Sequence, residues 1–217
     1  MRFIIRLATL ICFAVLVNSC SVTQPVRVLK ENQTTIDGSL GGAFIPLGES
    51  KVPVPYLIAG ASHGYSENLT LSSHLHITPF TTTVLGLDAG AAMCFLKQAG
   101  AIPEVTAKGQ FYAFTDFKSL ENMRFFPIIT LNGSWLVGET TLLYLGADNT
   151  FQLSDPNYIV SPFLGTQFDL SNSLRMNVEG KWMAANINTE QNVFDGKTSA
   201  GGQGGYGIFL GLSYNWK

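Results

Sequence analysis

Little in this 217-residue chain is charged. Asp, Glu, Lys and Arg make up 13% of it, against ~25% in ordinary soluble domains. Cysteine is scarce too, with only Cys12, Cys20 and Cys94. The first lies in an apolar leader and the second ends it. Cys94 alone remains for the body of the chain, which excludes an intramolecular disulfide there. No apolar run approaches the ~20 residues of a spanning helix. Phosphate loops, nucleotide motifs and metal-ligand spacings are missing, so no cofactor and no metal is expected. A net charge of −2 gives nothing that would draw nucleic acid.

What is present begins with Arg2 and Arg6, ahead of an uncharged apolar run from Leu7 to Val17. A basic start and an apolar stretch of this length read as a secretion signal. Val17-Asn18-Ser19-Cys20 closes it. This resembles the lipobox of bacterial lipoproteins: an aliphatic residue at −3, a small one at −1 and cysteine at +1. Asn18 is less usual at −2. The resemblance implies that residues 1–19 are a lipoprotein signal peptide. Cys20 would then carry a diacylglyceryl thioether and an N-acyl chain. Two or more chains make a stable anchor where one does not. Residues 20–35 read as a lipidated polar tether, with Pro25 and the Lys30-Glu31 pair. About 198 residues remain after cleavage, enough for one domain.

From residue 36 to 217 helix signals nearly vanish and a period of two takes over. "GGYGIFLGLSYNWK" puts Tyr206, Ile208, Leu210, Leu212, Tyr214 and Trp216 on one face. Gly205, Gly207, Phe209, Gly211 and Ser213 take the other. "LRMNVEGKWMA" alternates Leu174, Met176, Val178 and Trp182 with Arg175, Asn177, Glu179 and Lys181. Such alternation over many residues means strands. Ten are expected, at 36–46, 54–64, 69–78, 84–96, 104–115, 124–135, 139–147, 158–169, 174–184 and 205–216. Most have the ~9–11 residues of a tilted spanning strand. A weak repeat supports hairpins: 59–75, 132–145 and 164–178 each join two strands through a short polar turn. Longer links are read at 98–103, 116–122, 148–157 and 186–204. The expected fold is all-β, a closed antiparallel up-and-down transmembrane β-barrel of about ten strands, with eight as the alternative.

Alternation leaves open which face looks outward. A soluble lipocalin-like barrel hides its apolar face, and a membrane barrel hides its polar one. The Gly-rich face of the last strand suits a narrow lumen better than water. Aromatics recur near strand ends, at Tyr56, Tyr65, Phe126, Trp135, Tyr158, Trp182, Tyr206 and Trp216, as in interfacial girdles. "GLSYNW" at 211–216 resembles the terminal assembly signal of outer-membrane proteins, with Gly211 followed by Tyr214 and Trp216. Lys217 after the last aromatic departs slightly from that pattern. The resemblance implies a Gram-negative outer-membrane barrel, with its lipids and the barrel-assembly machinery as partners.

On that reading the lumen face carries a charge network of Glu104, Lys108, Asp169, Arg175, Glu179 and Lys181. Opposite charges in a narrow bore pair and plug it, because buried charges persist only when paired. Ser72, His74 and His76 share a face, His63 lies near a turn, and Asp88 on the next strand is a candidate orienter. No motif surrounds them, and a catalytic site also needs a nucleophile within reach of its base. The expected role is structural or accessory, without catalysis, with loops that meet an outer-membrane protein partner. The alternatives are a barrel enzyme acting on lipid or peptide at the outer rim, and a lipid-anchored lipocalin-like binder of an apolar ligand.

Overall fold

In the computed structural model, residues 21–47, 50–53, 55–117, 119–153, 155–188 and 201–216 are described. The leader, Cys20 and most of the 186–204 link lie outside them. Among the described residues eleven strands follow in order: β1 Thr34–Leu47, β2 Ser50–Pro53, β3 Tyr56–Ser66, β4 Leu69–His76, β5 Val84–Leu96 and β6 Glu104–Asp116. Then come β7 Ser119–Val137, β8 Thr141–Phe151, β9 Tyr158–Asp169, β10 Leu174–Asn188 and β11 Gln203–Trp216. Each barrel strand pairs antiparallel with the next. β11 closes onto β1, from Thr34 opposite Trp216 to Ala43 opposite Gly207. The short β2 pairs with the far end of β1, Phe44–Leu47, and stands outside this ring. The wall is therefore a closed ten-stranded antiparallel β-barrel, and closure removes the edges that hydrocarbon could not satisfy.

The two faces are sorted oppositely to those of a soluble protein. Leu40, Leu131, Leu145, Leu164, Leu210 and Leu212 point outward, all 49–70% exposed. Glu179, Lys181 and Asp88 point inward at 0–3%. Soluble barrels do the reverse. An apolar belt around a polar interior is the surface of a barrel solvated by lipid.

The ends differ. The tight turns after β3, β7 and β9 gather at the end where β1 starts and β11 stops. The other end carries the β1–β2 extension and a 3-10 turn at Thr78–Thr82, and there β8 ends and β9 begins, and β10 ends and β11 begins. Short turns mark the periplasmic side of outer-membrane barrels. Three links differ from expectation. The one read at 148–157 is shorter, because β8 runs on to Phe151. The 97–103 connection sits at the short-turn end, where an Ala99–Ile102 bridge folds it back. The expected long link at 116–122 is tight, because β6 reaches Asp116 and β7 begins at Ser119.

Inside, a layer nearer the long-loop end is apolar. Tyr56, Ile58, Met183 and Phe209 cluster there with Val22. Tyr112, Phe114, Phe126, Ile128 and Val84 form a neighbouring cluster. Tyr56 and Phe126 are thus interior residues and leave the girdles in which the sequence placed them. Tyr65, Tyr158, Tyr206 and Trp216 do face outward. The indoles of Trp135 and Trp182 donate to the carbonyls of Ala101 and Gln203 near the rims.

Candidate functional site

The interior nearer the short-turn end is occupied by the chain's own N-terminal residues. The sequence reads 20–35 as a tether; in the structure Ser21–Leu29 packs inside the wall, Lys30, Glu31 and Asn32 are exposed where the segment leaves it, and β1 begins at Thr34. Ser21, Val22, Thr23, Gln24, Val26 and Leu29 are all buried. The segment is gripped mainly through its backbone. Thr23 N donates to Glu179 Oε2 at 2.8 Å and Leu29 N to Thr70 Oγ1 at 2.7 Å. Asn132 Nδ2 donates to Val26 O at 3.2 Å, and Lys108 Nζ donates to Gln24 O. Arg27 is the side-chain latch: Nε donates to Ser134 Oγ at 2.9 Å, and Nη1 lies 3.8 Å from Glu104 Oε2.

Two glycines make room for this path. A Cβ at Gly64 would fall 2.0 Å from the Lys30 carbonyl oxygen. One at Gly211 would fall 2.6 Å from Val22 Cγ2. Gly211, read from the sequence as part of an assembly signal, thus also abuts the internal segment.

Lys181 is the centre of the charged interior. It is the eighth of the fifteen residues of β10, so it lies at mid-depth. Its Nζ donates to Asp148 Oδ2 at 2.7 Å and to Ser21 O at 3.0 Å, and lies 3.2 Å from Glu179 Oε1. Asp148 Oδ1 also accepts from Thr130 Oγ1 at 2.6 Å. Of the six charged residues singled out by sequence, the structure joins Glu179 to Lys181 and Arg175 to Asp169, the latter 3.4 Å apart. That second pair is partly exposed at the short-turn rim. Glu104 and Lys108 are buried, and their contacts are with Arg27 and Gln24 of the segment. Asp148 and Arg27 were not singled out. The sequence reads Asp148 as the start of the 148–157 link, but β8 runs on to Phe151 and the alternation of its second half turns Asp148 inward; Arg27 sits in a stretch with no strand pattern.

The histidines form a separate buried cluster. His74 Nδ1 lies 2.9 Å from Asp88 Oδ1, and His76 Nε2 lies 3.1 Å from Asp88 Oδ2. Gln110 Nε2 donates to Asp88 Oδ1 at 2.6 Å, and the Tyr56 hydroxyl lies 2.6 Å from His76 Nδ1. Asp88 therefore orients both rings, as its place on the adjoining strand implied. Ser72 Oγ has no hydrogen-bond partner among the described residues, so no serine–histidine pair forms. His63 is on the outer face, 2.9 Å from Thr34 Oγ1. Tyr214 and Trp216 project outward at the end of β11, 48% and 61% exposed.

No protein-family model matches the chain, and no curated protein matches it. Solved structures do. A KdgM porin in complex with disordered oligogalacturonate aligns at a TM-score of 0.50 and 8% identity, over 84% of this chain and 99% of that one. The translocator domain of the autotransporter NalP from Neisseria meningitidis aligns at 0.49 and 11% identity, over 87% and 90%. An outer membrane channel from Pseudomonas putida F1 aligns at 0.49 and 10% identity, over 90% and 99%. At such identities the likeness is one of fold. With its lipid-type exterior and closed ring, the chain has the fold of the outer-membrane β-barrels.

Proposed function

We propose that this chain is an outer-membrane β-barrel lipoprotein with a structural or accessory role and a closed bore, anchored also through acyl chains on Cys20. One observation carries the closed bore: Tyr56, Ile58, Met183 and Phe209 form a buried apolar layer inside the wall, which is part of the barrel itself whether or not residues 21–29 pack beneath it. The lipobox pattern supports the anchor. Lipids meet the leucine belt, and a protein partner would meet the long-loop end. The test is conductance across a planar bilayer, on a sample that shifts mobility on a gel only after heating. No steady current is expected. Stable open-pore steps would make the protein a channel instead.

The same reading makes Gly211, Tyr214 and Trp216 the signal taken up by the assembly machinery. The two aromatics face outward on the strand that closes the ring, where that machinery would meet them. Tyr214→Ser with Trp216→Ser is expected to lower the outer-membrane level at least several-fold, measured by immunoblot of membrane fractions. An unchanged level would remove the assignment.

A further inference from the structure

The lumen segment and the Cys20 anchor compete for the same few residues. Ser21 is held at mid-depth by Lys181, seven residues along β10 from either end. At ~3.3 Å per residue and a tilt near 40°, that is ~18 Å of height to either end of β10, and ~13–15 Å to the ends of the paired β9, where Phe163 stands opposite Lys181. Cys20 Cα is tied to within ~3.8 Å of Ser21 Cα, and the five bonds out to the first ester oxygen add at most ~8 Å. Acyl chains on Cys20 therefore cannot start in either leaflet while Ser21 stays in place. The interior has no space for them: Met183 and Phe209 are 0% exposed, and Phe209 packs with Val22.

Withdrawal toward the short-turn end removes the conflict. The segment leaves the wall there, where Asn32 N donates to Gly64 O at 2.8 Å and Gln33 Nε2 to Asn215 Oδ1 at 2.8 Å. Fourteen residues from Cys20 to Gln33 then reach up to ~46 Å, ample for the adjacent leaflet. The vacated space is a cup whose polar groups stand beside an apolar patch of Leu142, Tyr144 and Phe163, against which Val26 packs, and it is still closed on the other side by the apolar layer.

We infer that acylation of Cys20 draws residues 21–33 out of the barrel, and that the cup so exposed on the short-turn side is a binding site for an extended peptide. The inference rests on the lipoprotein reading. The chemistry of the cup selects the ligand class. Lys181, Lys108 and Asn132 each donate to a main-chain carbonyl of the segment, at Ser21, Gln24 and Val26. Glu179 and Thr70 each accept a main-chain N–H, from Thr23 and Leu29. A site that reads the backbone this way takes an extended chain with little regard for side-chain identity, as sheet edges do for added strands.

The experiment uses the full chain with Val26→Cys and Cys94→Ser, in two forms. One keeps the native leader; the other has an ordinary export signal and Cys20→Ser. Heat-shifted mobility confirms a folded barrel in both. The mass of the N-terminal peptide reports acylation, a membrane-impermeant maleimide reports access to position 26, and a fluorescent peptide SVTQPVRVLKENQ reports the cup. In the acylated form, labelling at position 26 at least tenfold faster and saturable peptide binding are expected; the Cys20→Ser form should show neither. An N-terminus without lipid overturns the Cys20 reading and the inference with it. An acylated but protected thiol, or equal labelling in both forms, overturns the inference alone. Labelling without peptide binding overturns the receptor assignment.

Discussion

Leu210→Arg is expected to destabilise the barrel by about 2–4 kcal/mol, the cost of a cation facing lipid near the bilayer midplane. Leu210 is 51% exposed and lies in the middle of β11, opposite Leu40 and Val178. Its side chain stands on the same face as Ile208 and Leu212, so the arginine has no interior to turn into. Denaturant unfolding in lipid vesicles, followed by tryptophan fluorescence, measures the loss. On a water-facing surface the same change falls within ±0.5 kcal/mol. A loss that small would turn the faces round and favour the lipocalin-like binder.

Lys181→Met should cost more still, about 3–5 kcal/mol, because removing one partner strands buried charge. Asp148 and Glu179 would remain in the interior, and the Ser21 carbonyl would lose its donor. Adding Glu179→Gln is expected to restore part of the loss, since residues sharing a network are not additive. Unfolding of the two variants side by side gives the coupling. A single-variant loss below ~1 kcal/mol would mean that water already screens the site, as at exposed pairs.

Parity was the legible part of this molecule. Alternation in 174–183 and 205–216 sorts the residues to two faces, and the structure keeps those assignments, Phe209 included; it fails at Ala184, where a register irregularity with φ 52° buries two successive residues. The pairing of both histidines with Asp88 followed from neighbouring strands in the same way. Depth was not legible. Tyr56 and Phe126 stand near strand ends, as girdle residues do, yet a period of two cannot say that the bore there is apolar. The lumen segment was hidden for a different reason. Its grip is mostly main-chain, at Ser21, Thr23, Gln24, Val26 and Leu29. Every residue except proline carries the same N–H and carbonyl, so the hold leaves no compositional trace. Pro25 and the short charged stretch after it read as linker chemistry, which is true of their side chains and silent about their backbone.

The seam between β1 and β11 has a consequence for the order of folding. It joins the first and last strands of the wall, so it is the contact with the greatest loop-closure entropy, and non-local pairings of this kind form late. The partners of residues 21–29 are spread over β4, β6, β7, β10 and β11. No partly built sheet offers them all at once. Nascent N-terminal residues thus wait, solvated, beside a curling sheet until the final strand arrives. The act that seals the wall is also the act that completes their set of partners, so the lumen is open to this segment only after the last strand has zipped against the first.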